Sequence, residues 1–340
     1  MADQVKKIKK TDFKDFWHNK AWPFLKNLLV NHNYIISLLL LLIIGRIASD
    51  NFLSFGNLIG LVKSSTFIGI IALGMTLVII SGGIDLSVGA ILGFTAANTA
   101  VIFNLTESIL LSLIFAIVFG AILGLFNGIF VGRFKVAPFI VTLATLAAFR
   151  SLTVQQGSGG PILINQEAYY STLRNIGYGK FLDIPYLVWI FVILVVLVLI
   201  LMTKTKFGRY VYAVGSNEKA ARLSGINVNR IKVLVYTLTG VLTGIAAFLY
   251  VTRFGSVDTS TAGKGFELDA IAAVAIGGTS MAGGKGFVQG TFFGIVVLYA
   301  IDAVLTAFKV PAFVNDLIKG ILILGAVLLQ KALNRNKKDN

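Results

Sequence analysis

Residues 108–131 read Ser108-Ile109-Leu110-Leu111-Ser112-Leu113-Ile114-Phe115-Ala116-Ile117-Val118-Phe119-Gly120-Ala121-Ile122-Leu123-Gly124-Leu125-Phe126-Asn127-Gly128-Ile129-Phe130-Val131, with no charged side chain among them. A helix of that length rises roughly 36 Å at 1.5 Å per residue, enough to cross a hydrocarbon layer about 30 Å thick. Its apolar residues are continuous, whereas a barrel strand would alternate, so the chain reads as α-helical. Working outward, comparable runs fall at about 35–48, 66–81, 86–103, 138–154, 186–202, 231–251, 267–281, 286–305 and 313–330. The expectation is an all-α polytopic membrane protein with about ten transmembrane helices.

Composition agrees. Of the 340 residues 56% are hydrophobic and 13% charged, against roughly a quarter charged in soluble domains. The formal net charge of +15 would suit nucleic acid only if clustered on a folded face. Here the basic residues sit in the short gaps and at both ends, so no nucleic-acid partner is expected and the bilayer is the partner instead. With the N-terminus in the cytoplasm, most of the 30 Lys and Arg fall on the inside, as positive-inside sorting requires, and both termini are cytoplasmic. The first apolar run, 34–47, follows a long charged segment and is read as an anchor, not a cleaved signal. The chain divides into a basic cytoplasmic or interfacial segment 1–32, a transmembrane region 33–331 and a basic cytoplasmic tail 332–340.

Small residues recur at helical spacing: Gly120, Gly124, Gly128 and Gly132, then Gly240 and Gly244, then Gly286, Gly290 and Gly294. In lipid such stripes let helix backbones approach closely. Other glycines interrupt apolar runs, at Ser81-Gly82-Gly83, Gly277-Gly278 and Gly283-Gly284-Lys285-Gly286. Broken helices at membrane depth need protein or a water-filled cavity around them, so these breaks mark either a translocation pathway or tight cytoplasmic turns. Ser81, Gly82, Gly83, Asp85, Ser87, Asn127, Gly277 and Gly278 are the candidate pathway residues.

Several chemistries are excluded. Gly283-Gly284-Lys285-Gly286 lacks both the first glycine and the Ser or Thr of an ATP-binding loop. Cysteine is absent, and the two histidines, His18 and His32, lie in the charged N-terminal segment, so no metal site or catalytic triad is expected. The intramembrane ionisable groups read from the sequence are Asp85, Asp269, Asp302 and Asp316. Asp85 either caps a helix or couples transport to an ion.

The cytoplasmic loop 203–230 breaks the pattern of short connections. Within it Ser216 or Asn217 offers an N-cap, Glu218 occupies the first turn and Gly225 suits C′. So short a helix needs something to dock against. Ala220 and Ala221 beside Leu223 suit insertion into a groove on another protein, and an ordinary connector packed on its own helix ends is the alternative.

Together, the stretch Gly74 to Gly89 containing Gly82-Gly83-Ile84-Asp85-Leu86-Ser87, the pair Asn127-Gly128, the stretch Lys135 to Leu143, the loop from Gly215 to Arg230 and Gly265 to Ala273 followed by Gly277-Gly278 resemble ribose-type sugar ABC transporter permeases. The resemblance implies a type II ABC importer permease-like fold without catalysis of its own. Two permease subunits, expected as a homodimer, would each contact a cytoplasmic ABC ATPase that holds ATP and Mg, and an extracytoplasmic sugar-binding protein would deliver a monosaccharide such as ribose; a nucleoside, autoinducer-2 or a branched-chain amino acid is the alternative solute. It also makes Ser216, Asn217, Glu218, Ala220, Ala221, Leu223, Ser224 and Gly225 the coupling helix toward the ATPase.

Overall fold

The computed structural model describes residues 33–311 without a gap, and isolated positions from there to 325. The helices are α1 (Asn33–Ala48), α2 (Phe55–Ser64), α3 (Thr66–Ile80), α4 (Val88–Thr106), α5 (Ile109–Gly132) and α6 (Pro138–Gln156), followed by α7 (Tyr186–Lys204), α8 (Lys206–Ser216), α9 (Glu218–Leu223), α10 (Val228–Phe254), α11 (Phe266–Ile276) and α12 (Val288–Ala307). At one end of the bundle a short strand, Pro161–Leu163, pairs antiparallel with Ser256–Asp258. A helical run from Gln166 to Tyr178 fills the same loop.

Among the described residues six helices are long and apolar enough to cross a membrane, and a seventh span results if α2 and α3, bent by 52°, count as one. The protein is thus a multi-pass membrane protein, with fewer full-length spans than the ten expected. Two of the expected spans fall short, since α1 has 16 residues and α11 only 11. Most of the run 313–330, the segments 1–32 and 332–340, and Asp316 lie outside the described residues. The sequence reading also missed α2, whose Ser54 side chain accepts the Asn57 N–H as an N-cap.

The glycine stripes decide the packing. α5 and α10 run against each other backbone to backbone: a Cβ at Gly120 would stand 2.4 Å from the Gly240 carbonyl oxygen, and one at Gly124 2.4 Å from the Tyr236 carbonyl oxygen. From the other side, a Cβ at Gly244 would meet the Ala116 carbonyl oxygen at 2.2 Å. The second stripe seats α12 on α11, with Gly290 against the Gly277 carbonyl and Gly294 against the Ala273 carbonyl. Every residue of α3 is buried, so this helix forms the centre of the bundle.

Candidate functional site

The loop between α7 and α10 leaves the bundle through two helices. α8 starts where the Thr205 hydroxyl accepts the Gly208 N–H. α9 starts at Asn217, whose Oδ1 accepts the Ala220 N–H at 3.0 Å, the cap expected from the sequence. Gly225, with φ +80°, ends it in the left-handed region that suits glycine at C′. Ser216 is the last residue of α8 rather than a cap.

Two ties fix α9 to the body, and one ion pair braces it from within. Glu218 accepts from Arg222 of the same helix at 3.2 Å, and from Lys232 of α10 at 2.7 Å, which is the first tie. The Lys232 hydrogen bond above all holds the Glu218 carboxyl below its usual range. The second tie is Ala221, which is buried in the chain's own core. This corrects the expectation that Ala221 inserts into a partner: α8 and α10 already occupy that side. The outward face instead holds Ala220, Leu223 and Ser224, and Leu223 is 90% exposed.

α8 touches the bundle at a junction of glycines. The Gly284 N–H donates to the Ile80 carbonyl at 2.9 Å. A Cβ on Gly215 would stand 1.7 Å from that same oxygen, and one on Gly284 2.7 Å from the Ser216 Cα. Gly82 and Gly283, at φ +87° and +84°, complete the cluster, and the Tyr212 hydroxyl donates to the Gly286 carbonyl at 2.8 Å. Both helix breaks, Ser81–Gly83 and 283–286, therefore meet the root of α9. Gly277 and Gly278 turn the chain out of α11, Gly278 at φ +83°.

Asp85, Ser87 and Asn127 are brought together, yet all three are buried rather than lining an open space. Asp85 Oδ1 accepts the Ser87 N–H at 2.8 Å and its hydroxyl at 2.6 Å, which fixes the turn into α4. The Asn127 amide donates to the Ser87 hydroxyl at 2.7 Å, tying α5 to that turn. Tyr236 completes the cluster: a Cβ at Gly83 would lie 2.6 Å from its hydroxyl oxygen. Ser87, not Asp85, stands at the N-cap of α4, so Asp85 shapes the turn before the helix instead of capping it. Ser81 donates to the Val78 carbonyl and closes α3.

Two ionisable groups of the apolar runs escaped the sequence reading. Arg150 on α6 donates to the Ala262 carbonyl at 2.5 Å, and a Cβ on Gly89 would stand 2.2 Å from Glu267 Oε2. Arg150 alone interrupts the otherwise uncharged run 138–154, a visible signal. Glu267 opens α11 after Gly263 and Gly265 at φ +71° and +83°, so a half-length helix starts there. Asn98 on α4 accepts from Gln156 on α6 at 3.0 Å nearby in the same layer of helices.

Whole and broken apolar helices around a buried centre, with a helix pinned outside them at the breaks, make up the body of a transport permease. The chain matches the family described as "Branched-chain amino acid transport system / permease component" over residues 57–327. It is 39% identical over 323 residues to the ribose import permease protein RbsC of Escherichia coli (strain K12), covering 95% of this chain and 97% of that one. With RbsC of Bacillus subtilis (strain 168) it shares 42% identity over 296 residues, covering 87% and 91%. With the L-arabinose ABC transporter permease protein AraH of Azospirillum brasilense it shares 33% over 311 residues, covering 91% and 90%. No solved structure matches the chain. The chain belongs to this permease family, as a transport subunit and not an enzyme.

Proposed function

We propose that this chain is the membrane-spanning permease subunit of an ABC importer for a monosaccharide, with ribose or a similar pentose first. The observation that carries the reading is α9, a knob presenting Leu223 to water while Lys232 of α10 holds its Glu218, and the end of α8 that leads into it rests on the helix breaks. A partner groove would bury Leu223, and its movement would reach Ser81–Gly83 and 283–286 through backbone contact. The partner is a cytoplasmic ABC ATPase that carries ATP and Mg, and this chain needs no cofactor. On this reading the loop 203–230 and both termini are cytoplasmic, the membrane is the bacterial inner membrane, and about ten segments enter it. A second copy of the permease completes the pathway, and an extracytoplasmic sugar-binding protein loads it.

The ribose and arabinose names of the relatives favour sugar, whereas the family description favours a branched-chain amino acid. An ion-coupled carrier is the less favoured reading, because one oxygen of Asp85, Oδ1, is taken up by the turn before α4. Reconstitution with the partner ATPase and binding protein tests all three. ATP-dependent uptake of ribose but not of leucine is the expected result. Leucine uptake would reassign the solute, and uptake without ATP would overturn the ABC assignment.

A further inference from the structure

At the end of the bundle opposite α9, three cations gather on one aromatic ring. Arg253, at the last turn of α10, holds its Cζ 4.0 Å from the centre of the Tyr178 ring. Arg174 Cζ stands 5.1 Å from the same centre and Lys63 Nζ, from α2, 5.8 Å. Lys63 lies close enough to Arg253 and Lys180 for both charges to act on it. Arg174 also lies over Tyr170, at 5.4 Å.

Ring quadrupoles attract each cation but do not remove repulsion among them. Among the described residues none of the three has a carboxylate partner, since the ion pairs there involve Arg46, Arg222 and Lys232. Arg253 Nη1 is moreover buried without a hydrogen-bond partner. A fixed cluster of like charges with an unused guanidinium donor is completed by an anion with several acceptor oxygens. Its surroundings indicate which. Tyr170 and Tyr178 are exposed beside the charges, as aromatic residues are at headgroup level. Below them the face of α7 carrying Ile193, Val196, Leu197 and Ile200 is exposed and apolar, as a surface against acyl chains would be.

We propose that Lys63, Arg174 and Arg253 around Tyr178 form a binding site for the phosphate of an anionic phospholipid. The site lies in the leaflet opposite the coupling loop. This does not depend on which solute the permease carries.

The test uses the purified full-length chain in nanodiscs of phosphatidylcholine with increasing phosphatidylglycerol. Bound lipid is read by native mass spectrometry after release. Phosphatidylglycerol should be retained in preference to phosphatidylcholine. Arg174→Gln and Arg253→Gln should each weaken that retention about fivefold, from the contribution of one basic side chain at an anionic surface. Arg174 is exposed, so its variant should fold even if Arg253→Gln does not. Lys204→Gln, at the far end, should retain the lipid as the unsubstituted chain does. Equal retention of the two lipids, or unchanged retention by Arg174→Gln, would overturn the proposal. So would displacement by millimolar inorganic phosphate, which would make the site one for a soluble anion. Loss of binding-protein affinity in Arg174→Gln with lipid retention intact would assign the cluster to an acidic protein face instead.

Discussion

Changing Leu223 to Asp separates docking from folding. In the permease alone Leu223 is 90% exposed, so its replacement removes almost no internal contact. If a partner groove buries the side chain, burial contributes about 2 kcal/mol. Truncation to Ala should then weaken ATPase binding about 10- to 30-fold. Asp should do more, because its charge would be desolvated without a partner. Ala221→Asp is the contrasting variant. That residue is buried inside the permease, so the charge should destabilise the permease itself by about 3 kcal/mol or more and reduce its membrane abundance. The assay compares permease yield, co-purification of the ATPase and uptake in proteoliposomes. Leu223→Asp should give normal yield, lost co-purification and lost uptake. If Leu223→Asp retains the ATPase with unchanged affinity, α9 is a connector and not the docking element.

Three further outcomes follow from the packing. Gly124→Leu should lower the yield of folded protein, since even a Cβ there would stand 2.4 Å from the Tyr236 carbonyl oxygen. Normal accumulation would mean that α5 and α10 do not meet on that stripe. Tyr212→Phe deletes one hydrogen bond to the Gly286 carbonyl without adding bulk. It should leave ATP hydrolysis intact and lower the sugar moved per ATP, and an unchanged ratio would detach the junction from coupling. In this cysteine-free chain, Asn217→Cys should resist impermeant thiol reagents in intact cells while Tyr170→Cys reacts. The reverse pattern would invert the topology.

The long spans were legible because lipid imposes a one-dimensional rule, that twenty or so apolar residues in a row have few other uses, whereas the bent and half-length helices α2 and α11 were not. The run 108–131 became Ile109–Gly132, and 186–202 became Tyr186–Lys204. The glycine stripes were equally readable as close-packing faces, because four-residue spacing puts them on one side of a helix. Asn217, Glu218 and Gly225 were legible as helix-end chemistry, which is local in sequence.

What meets what was not local. No spacing shows that Gly215 comes to rest on the Ile80 carbonyl, or that Gly284 joins them from the far end of the chain. The phase of α9 was hidden for a related reason. Its six residues are too few to display a helical period, so Ala221 and Leu223 both read as partner-facing. Hydrophobicity alone would have buried Leu223 and left Ala221 out. The packed helices chose the opposite, because α8 and α10 leave room on the inner side for a methyl group, and the larger side chain is turned to the water.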